Sequence, residues 1–226
     1  MSQPLLVALI LFFAVADLSL AFPEIDLAVA ALFWGPDGVF GARGQRWEQL
    51  LYHSIGTLLV AVGIGLIGAW LFGRLRRQSA PFVTGRRLAF LLLLLSLVPG
   101  LLVNQVFKEH WGRARPVQLE PFGGSKQFTP AFVLSDQGGG SFSSGHVAAA
   151  AWIVAVTVSL FGVRSLWTAA ATIYLLLMAL ARIAAGGHFL SDALTSILLV
   201  WIGYLLLQRW FPTDSATGPP PNPAHR

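Results

Sequence analysis

The sequence contains no cysteine and few charged residues. Among its 226 residues there is no Cys, and only 11% are Asp, Glu, Lys or Arg. The absence of cysteine excludes a disulfide framework, a thiolate nucleophile and Cys-ligated zinc or iron–sulfur sites. The scarcity of charge, with 55% hydrophobic residues and a mean hydropathy of +0.68, excludes an ordinary soluble domain, which is roughly 45–50% apolar. The sequence is therefore that of an integral membrane protein.

Six apolar stretches are long enough to cross a bilayer, which takes about 20 apolar residues in a helix. They are residues 4–22, 49–72, 88–107, 147–162, 166–185 and 189–209. The first has no positively charged N-terminal region and is interrupted by Asp17, so it is interpreted as a retained helix. The predicted fold is all-α, with six transmembrane helices in one domain over residues 1–212 and a disordered cytoplasmic tail over 213–226.

Arginines set the predicted topology. The loop 74–87 contains five of them, and such clusters mark cytoplasmic loops. Both termini then lie in the cytoplasm, and segments 23–48, 108–146 and 186–188 face the outside. The net charge of +5 contributes to this topology and does not indicate nucleic-acid binding. The segment 23–48 is too interrupted to span and is predicted to hold a short interfacial helix.

Three polar patches stand out, each beside the outer end of a predicted helix. The first contains Lys108, Arg113, Arg115 and Pro116, the second runs from Ser141 to His146, and the third runs from Arg182 to Asp192. Arginine offers a planar fork that matches phosphate oxygens, and lysine adds a compact positive charge. Ser144 and Gly145 begin a helix, whose N-terminal amides form an anion site. The patches together predict a receptor for a phosphate group.

The two histidines of these patches predict a reaction. His188 and Asp192 are four residues apart, so on a helix they share one face, about 6 Å apart along the axis. An aspartate that accepts a hydrogen bond from one ring nitrogen leaves the other as a nucleophile and stabilises positive charge on the ring. His146 can protonate the leaving oxygen. The pair predicts a covalent phosphohistidine that water then hydrolyses, without a metal or cofactor, because the cations neutralise the transition-state charge.

Taken together, the patches resemble the three-part motif of the type 2 phosphatidic acid phosphatase (PAP2) superfamily. The matching pattern is Lys108-x6-Arg115-Pro116, Ser144-Gly145-His146 and Arg182-x5-His188-x3-Asp192. The resemblance implies that His188 is the nucleophile, that Asp192 orients it and that His146 is the general acid. It also implies six spans like those of the membrane-bound lipid phosphatases, and a phosphate site formed by Lys108, Arg115, Ser144, Gly145 and Arg182.

Two positions depart from the family pattern. Ser143 stands where the family usually has proline, and Ala181 stands where it usually has serine. Neither position carries a proton in the implied reaction. The departures therefore predict an altered loop or substrate fit rather than an inactive enzyme.

The predicted function is a metal-independent lipid phosphatase that acts on an outer-leaflet envelope lipid at a bacterial inner membrane. The segment 111–130 resembles that of bacterial lipid A phosphatases, which favours lipid A. Undecaprenyl pyrophosphate, phosphatidylglycerol phosphate and phosphatidic acid stay alternatives, as does phosphate transfer to another lipid. A non-enzymatic transporter is disfavoured, because it predicts charges deep in several helices. The predicted partners are the phosphorylated lipid and the bilayer, without nucleic acid; no oligomeric state is predicted.

Some charged residues keep more than one interpretation. Arg113 and Lys126 either contact the substrate or belong to the loop surface. Arg43 is expected to be an interfacial anchor, as basic residues beside membrane helices usually are. His53 is expected to be a packed membrane histidine.

Overall fold

The computed structural model describes residues 2–78 and 82–211, and within these ranges the chain is helical and has no β-sheet. The helices are α1 (Gln3–Ala21), α2 (Glu24–Ala31), α3 (Arg46–Leu75), α4 (Gly85–Leu95), α5 (Lys108–His110), α6 (Gly145–Phe161), α7 (Leu166–Ala184) and α8 (Leu190–Leu207). The predicted all-α fold is confirmed for this part of the chain. The tail predicted over 213–226 lies outside the described residues.

Five helices in the described ranges are long and apolar enough to cross a membrane. They are α1, α3, the continuous helix from Gly85 to His110, α7 and α8. The helix α6, predicted as a span over 147–162, has 17 residues and is shorter than the others. At 1.5 Å per residue it reaches about 25 Å, against roughly 30 Å for the hydrocarbon core. The structure therefore contains five candidate spans and one shorter apolar helix where six spans were predicted.

The helix that runs from Gly85 to His110 changes its winding at a proline. Ser96–Phe107 form a π-helix that contains Pro99, and the wider turn relieves the clash between the proline ring and the preceding turn. Asn104 donates its side-chain amide to the Pro99 carbonyl at 2.8 Å. A Cβ at Gly145 would lie 2.5 Å from Asn104 Oδ1, so the start of α6 approaches this helix at a distance that only glycine allows.

The helix α6 lies at the centre of the bundle and packs against α3, α7 and α8. Its first turns bury a run of small residues, Ala148 to Ala151, which lets neighbouring helices come close. The buried Trp152 fills the next layer and donates its indole N–H to the Leu91 carbonyl at 2.8 Å. This packing fixes the N-terminus of α6 relative to α4 and the α7–α8 turn.

Three of the connections between helices meet at one end of the bundle. Residues 111–144 contain two short 3₁₀-helices, Pro116–Gln118 and Glu120–Phe122, and Val117 donates its backbone N–H to the Gly186 carbonyl at 3.1 Å. Gly186, at φ +67°, lies in the α7–α8 turn, where a Cβ would lie 2.4 Å from a ring carbon of Phe40. The segment after α2, the segment before α6 and the α7–α8 turn thus come together, and the three polar patches with them.

Candidate active site

His188 lies in the α7–α8 turn and is almost completely buried, with 4% of its surface exposed. Its Nδ1 lies 2.7 Å from the backbone carbonyl of Ser141. Because a carbonyl can only accept a hydrogen bond, Nδ1 carries the proton and Nε2 keeps its lone pair. The ring is therefore held in the tautomer that a nucleophilic Nε2 requires.

Asp192 lies in the first turn of α8 and is completely buried. Its Oδ2 accepts hydrogen bonds from the Ser141 hydroxyl at 2.6 Å and from the Phe189 N–H at 2.9 Å. The distance from Oδ2 to His188 Nδ1 is 3.8 Å, which is too long for the direct hydrogen bond that the sequence predicts. Ser141 takes that place, since its carbonyl binds the ring and its hydroxyl binds the carboxylate. Asp192 therefore acts on His188 through its charge.

The surroundings of His188 favour the neutral imidazole. Burial lowers the pKa of His188, and the positive charges of Arg182 and Arg115 lower it further, although the carboxylate of Asp192 raises it. The net direction is a pKa below the ordinary value of about 6.5. The ring therefore stays unprotonated, and so nucleophilic, at neutral pH.

His146 lies in the first turn of α6 and stacks on the ring of Tyr52 from α3. The two ring centroids are 4.4 Å apart, with an interplanar angle of 25°. The guanidinium carbon of Arg182 lies 4.8 Å from the centroid of the same Tyr52 ring. Tyr52 therefore holds both the predicted general acid and a predicted phosphate-binding arginine. No motif in the sequence marks this tyrosine.

Arg182 and Arg115 line a cavity of about 190 Å³ together with Tyr52, Gly187 and Arg43. A Cβ at Gly187 would lie 2.2 Å from Nη2 of Arg182, so glycine makes room for the guanidinium. Arg182 Nη1 donates to the buried Glu48 at 3.0 Å, and Nε has no hydrogen-bond partner in residues 2–78 and 82–211. Arg43, expected to be an interfacial anchor, is exposed and adds a third guanidinium to the cavity wall.

The other predicted phosphate ligands adjoin these cations. Arg115 Nη2 lies 3.4 Å from the Gly140 carbonyl, and the Lys108 side chain lies beside the same glycine, where a Cβ would be 3.4 Å from Lys108 Cγ. Ser144 precedes the first residue of α6, Gly145, and its buried hydroxyl has no partner in the part of the chain that the structure describes. The positive charges of Arg182, Lys108 and Arg115 all act on His146. The structure thus brings together the residues predicted to bind phosphate and to move protons.

Arg113 is placed differently from the prediction, whereas Lys126 lies partly exposed in its loop. Arg113 is completely buried and forms ion pairs with Asp26 at 2.8 Å and with Asp192. It can therefore neither contact a substrate nor lie on the loop surface, because its guanidinium is enclosed by protein. Lys126 donates to the Gln137 carbonyl at 2.7 Å, which ties down the 111–144 segment. His53, expected to be packed, is exposed and bonds Gln49 at 3.1 Å.

Potential metal ligands are not clustered in the described ranges, which contain no group of three or more His, Asp or Glu side chains that could hold a metal ion. His188 and Asp192 lie 3.8 Å apart, and Asp192 already accepts hydrogen bonds from Arg113, Ser141 and Phe189. The arrangement is suited to an anion, since cations and helix N-terminal amides surround the two imidazoles.

Known proteins resemble this chain in sequence. The model of the PAP2 superfamily matches residues 89–216. A lipid A 4'-phosphatase of Francisella tularensis subsp. novicida (strain U112) is 31% identical over 207 residues, 84% of this chain and 89% of that protein. A lipid A 4'-phosphatase of Rhizobium etli (strain ATCC 51251 / DSM 11541 / JCM 21823 / NBRC 15573 / CFN 42) is 34% identical over 206 residues, 83% and 77% of the two chains.

A solved structure shows the same fold. It is the crystal structure of the first transmembrane PAP2 type phosphatidylglycerolphosphate phosphatase from Bacillus subtilis, with a TM-score of 0.58 and 20% sequence identity. The match covers 96% of this chain and 100% of that chain. At this identity the likeness concerns the fold alone. The matched family region, 89–216, contains all three polar patches but not Asp26, Glu48 or Tyr52.

Proposed function

The chain belongs to the PAP2 superfamily, and on that premise we propose that it removes a phosphate from lipid A through a phosphohistidine intermediate. It is a lipid phosphatase, a phosphoric monoester hydrolase of the membrane. One observation carries the assignment of His188 as nucleophile. Its Nδ1 proton is held by the Ser141 carbonyl, so that Nε2 keeps its lone pair, and the preceding residue, Gly187, lines the cationic cavity.

The first half of the reaction forms the phosphohistidine. Nε2 of His188 attacks phosphorus, a nitrogen–phosphorus bond forms, and the bond from phosphorus to the lipid oxygen breaks. His146 gives its proton to that oxygen, so the lipid leaves as an alcohol. The His188 ring gains positive charge, which the carboxylate of Asp192, 3.8 Å away, stabilises.

The second half returns the enzyme to its starting state. The neutral His146 takes a proton from a water molecule as the water oxygen attacks phosphorus. The phosphorus–nitrogen bond breaks, inorganic phosphate leaves, and His188 recovers its neutral form with the proton still on Nδ1. His146 ends protonated, ready to act as the acid again.

Cations hold the phosphate through both steps. Lys108, Arg115 and Arg182 would bind its oxygens, and the amides at Ser144 and Gly145 would add helix N-terminal donors. The cavity shared by Arg115 and Arg182 supports this role. So does the buried Ser144 hydroxyl, which has no partner within the described ranges. These side chains neutralise the negative charge on the phosphoryl oxygens in the transition state, so the mechanism requires no metal.

Lipid A is the proposed substrate because relatives at 31% and 34% identity, over most of this chain, are lipid A 4'-phosphatases. The 111–144 segment, folded over the site, would then contact a sugar headgroup. The acyl chains would stay in the bilayer beside the helices.

The proposed setting is the bacterial inner membrane, with α6 as a sixth span and residues 1–212 as one domain. The arginine-rich loop between α3 and α4 supports a cytoplasmic position for that loop. The site, at the opposite ends of α3 and α6, would then face the periplasm. Labelling of single cysteines introduced at Lys126 and at Arg76 with an impermeant reagent tests this orientation in intact cells.

The function is tested by phosphate release from a panel of purified lipids. Lipid A, undecaprenyl pyrophosphate, phosphatidylglycerol phosphate and phosphatidic acid are compared at equal surface concentration in detergent micelles. We expect the highest kcat/KM with lipid A, no effect of EDTA, inhibition by vanadate, and loss of activity in His188→Ala and His146→Ala. A preference for another lipid would overturn the substrate, and inactivation by EDTA that a divalent cation reverses would overturn the metal-free chemistry.

A further inference from the structure

Asp26, in α2, is a buried carboxylate for which the reaction above provides no role. Only 6% of its surface is exposed. Its Oδ1 accepts the Ser191 backbone N–H at 3.0 Å, and its Oδ2 accepts the Ser191 hydroxyl and Arg113 Nη2, the latter at 2.8 Å. A carboxylate is rarely buried unless it is paired. Asp26 also lies outside the region 89–216 that matches the superfamily.

Arg113 connects Asp26 to Asp192. Its Nη2 binds Asp26, its Nη1 binds Asp192 and the Ser191 hydroxyl, and its Nε donates to the Thr129 carbonyl at 2.8 Å. The guanidinium carbon lies 4.2 Å from the centroid of the Phe189 ring. Arg113 has no exposed surface, and its single positive charge is paired with two carboxylates at once.

The charges of this network do not cancel in the resting enzyme. Two carboxylates and one guanidinium leave one negative charge in excess, because His188 is neutral. When His188 becomes positively charged on phosphorylation, the group as a whole becomes neutral. If Arg113 formed an ion pair with Asp192 alone, that pair would be neutral in the resting enzyme. Little negative potential would then act on the His188 ring.

We propose that Asp26 is a positioning residue that shares Arg113 with Asp192 and so keeps the negative charge of Asp192 available to the phosphorylated His188. The inference rests on the proposed role of His188 as nucleophile. It assigns to α2, a segment before the matched family region, a part in the chemical step. The chain of contacts runs from Asp26 through Arg113 to Asp192, and then across 3.8 Å to the ring.

The test uses Asp26→Asn, which keeps the shape of the side chain and one of its two oxygens but removes the negative charge. We expect kcat to fall at least about tenfold, which corresponds to one pKa unit of lost stabilisation on the ring, with KM nearly unchanged. Glu24→Gln is the matched control, since Glu24 lies on the same helix with its side chain exposed. Its kcat should equal that of the wild type.

The pH profile separates a charge effect from a loosened structure. The charged or titratable groups that act on His188 are Asp192, Arg182, Arg115 and His146, and all stay in place in the variant. Loss of the Asp26 charge moves the acid limb of kcat/KM to lower pH, because a protonated ring becomes less favourable. A merely loosened structure would admit water to the His188 ring, and the acid limb of kcat/KM would then move to higher pH, towards 6.5. The substrate phosphate titrates identically in every variant.

Two further variants complete the test. Asp26→Asn in the Asp192→Asn background should lower kcat no further, because Asp26 acts through Asp192; an additive loss would overturn the proposal. Ser191→Ala removes two hydrogen bonds of the network, those of the Ser191 hydroxyl to Asp26 and from Arg113, but no charge, so its kcat should stay within about threefold of the wild type. A tenfold loss in that variant would show that hydrogen bonding, rather than charge, is what matters, and would overturn the proposal even if Asp26→Asn did not fold.

All variants are assayed with the lipid that the wild type hydrolyses fastest, after their thermal unfolding in detergent has been compared. A wild type that releases no phosphate from any lipid would refute the proposed function. An active wild type whose Asp26→Asn variant keeps both its kcat and its acid limb would refute the role of Asp26 alone.

Discussion

Tyr52 offers a direct test of how the site is held together, because one ring contacts both His146 and Arg182. Replacement by leucine removes the stacking, worth about 0.5–1.5 kcal/mol, and the cation–π contact, worth about 0.5–2 kcal/mol. The sum of about 1–3.5 kcal/mol corresponds to a roughly 5- to 300-fold loss of kcat/KM, at 1.4 kcal/mol per factor of ten. Tyr52→Phe keeps the ring and is the matched control, with kcat/KM expected within about twofold of the wild type.

Two substrates with different leaving groups separate the contribution that Tyr52 makes through His146 from the one that it makes through Arg182. A lipid alcohol needs a proton from His146 as it leaves, whereas p-nitrophenolate does not. Tyr52→Leu should therefore reduce lipid hydrolysis more than hydrolysis of p-nitrophenyl phosphate, for which only the contribution through Arg182 remains. An unchanged kcat/KM with both substrates, or an equal loss in Tyr52→Phe and Tyr52→Leu, would refute the proposed role of the ring.

Further predictions concern the charges around the site. Glu48→Gln breaks the buried ion pair with Arg182. Losing one partner of such a pair typically costs about 3–5 kcal/mol, so we expect a lower midpoint of thermal unfolding in detergent and a KM raised at least about tenfold; an unchanged KM would show that Glu48 does not position Arg182. Burial lowers the pKa of His188, so the proposed nucleophile stays neutral at pH 6.5, and the acid limb of kcat/KM, which reports the free enzyme, should lie below pH 6.5; an acid limb above pH 7 would contradict a buried neutral ring.

The sequence was sufficient for the fold class and the motif residues, because both depend on local signals. Apolar runs of about 20 residues predict membrane helices, and the spacing from Lys108 to Asp192 identifies the superfamily. The bounds of α6, predicted as 147–162, agree to within two residues with Gly145–Phe161, and the helix ends before Gly162, which adopts a positive φ of 84°.

The supporting residues could not be predicted, because their roles arise only from tertiary contacts. Ser141 belongs to a polar patch, but nothing in the sequence indicates that its carbonyl replaces Asp192 at the ring of His188. Tyr52 and Glu48 lie on an ordinary apolar helix, and Asp26 lies in a segment that suggests only an interfacial helix. Each approaches the site from a part of the chain at least 87 residues before its contact in the polar patches, the shortest separation being that from Asp26 to Arg113.

The central claim is that Nε2 of His188 becomes phosphorylated during each catalytic cycle. Phosphohistidine survives alkali, so the wild-type enzyme can be mixed with ³²P-labelled lipid, quenched within milliseconds in base, digested and analysed by mass spectrometry. We predict a burst of label on His188, as the Nε2-phosphorylated isomer, and none in His188→Ala. Label on His146, the Nδ1 isomer on His188, or product formed in the first turnover without any labelled enzyme would contradict the account.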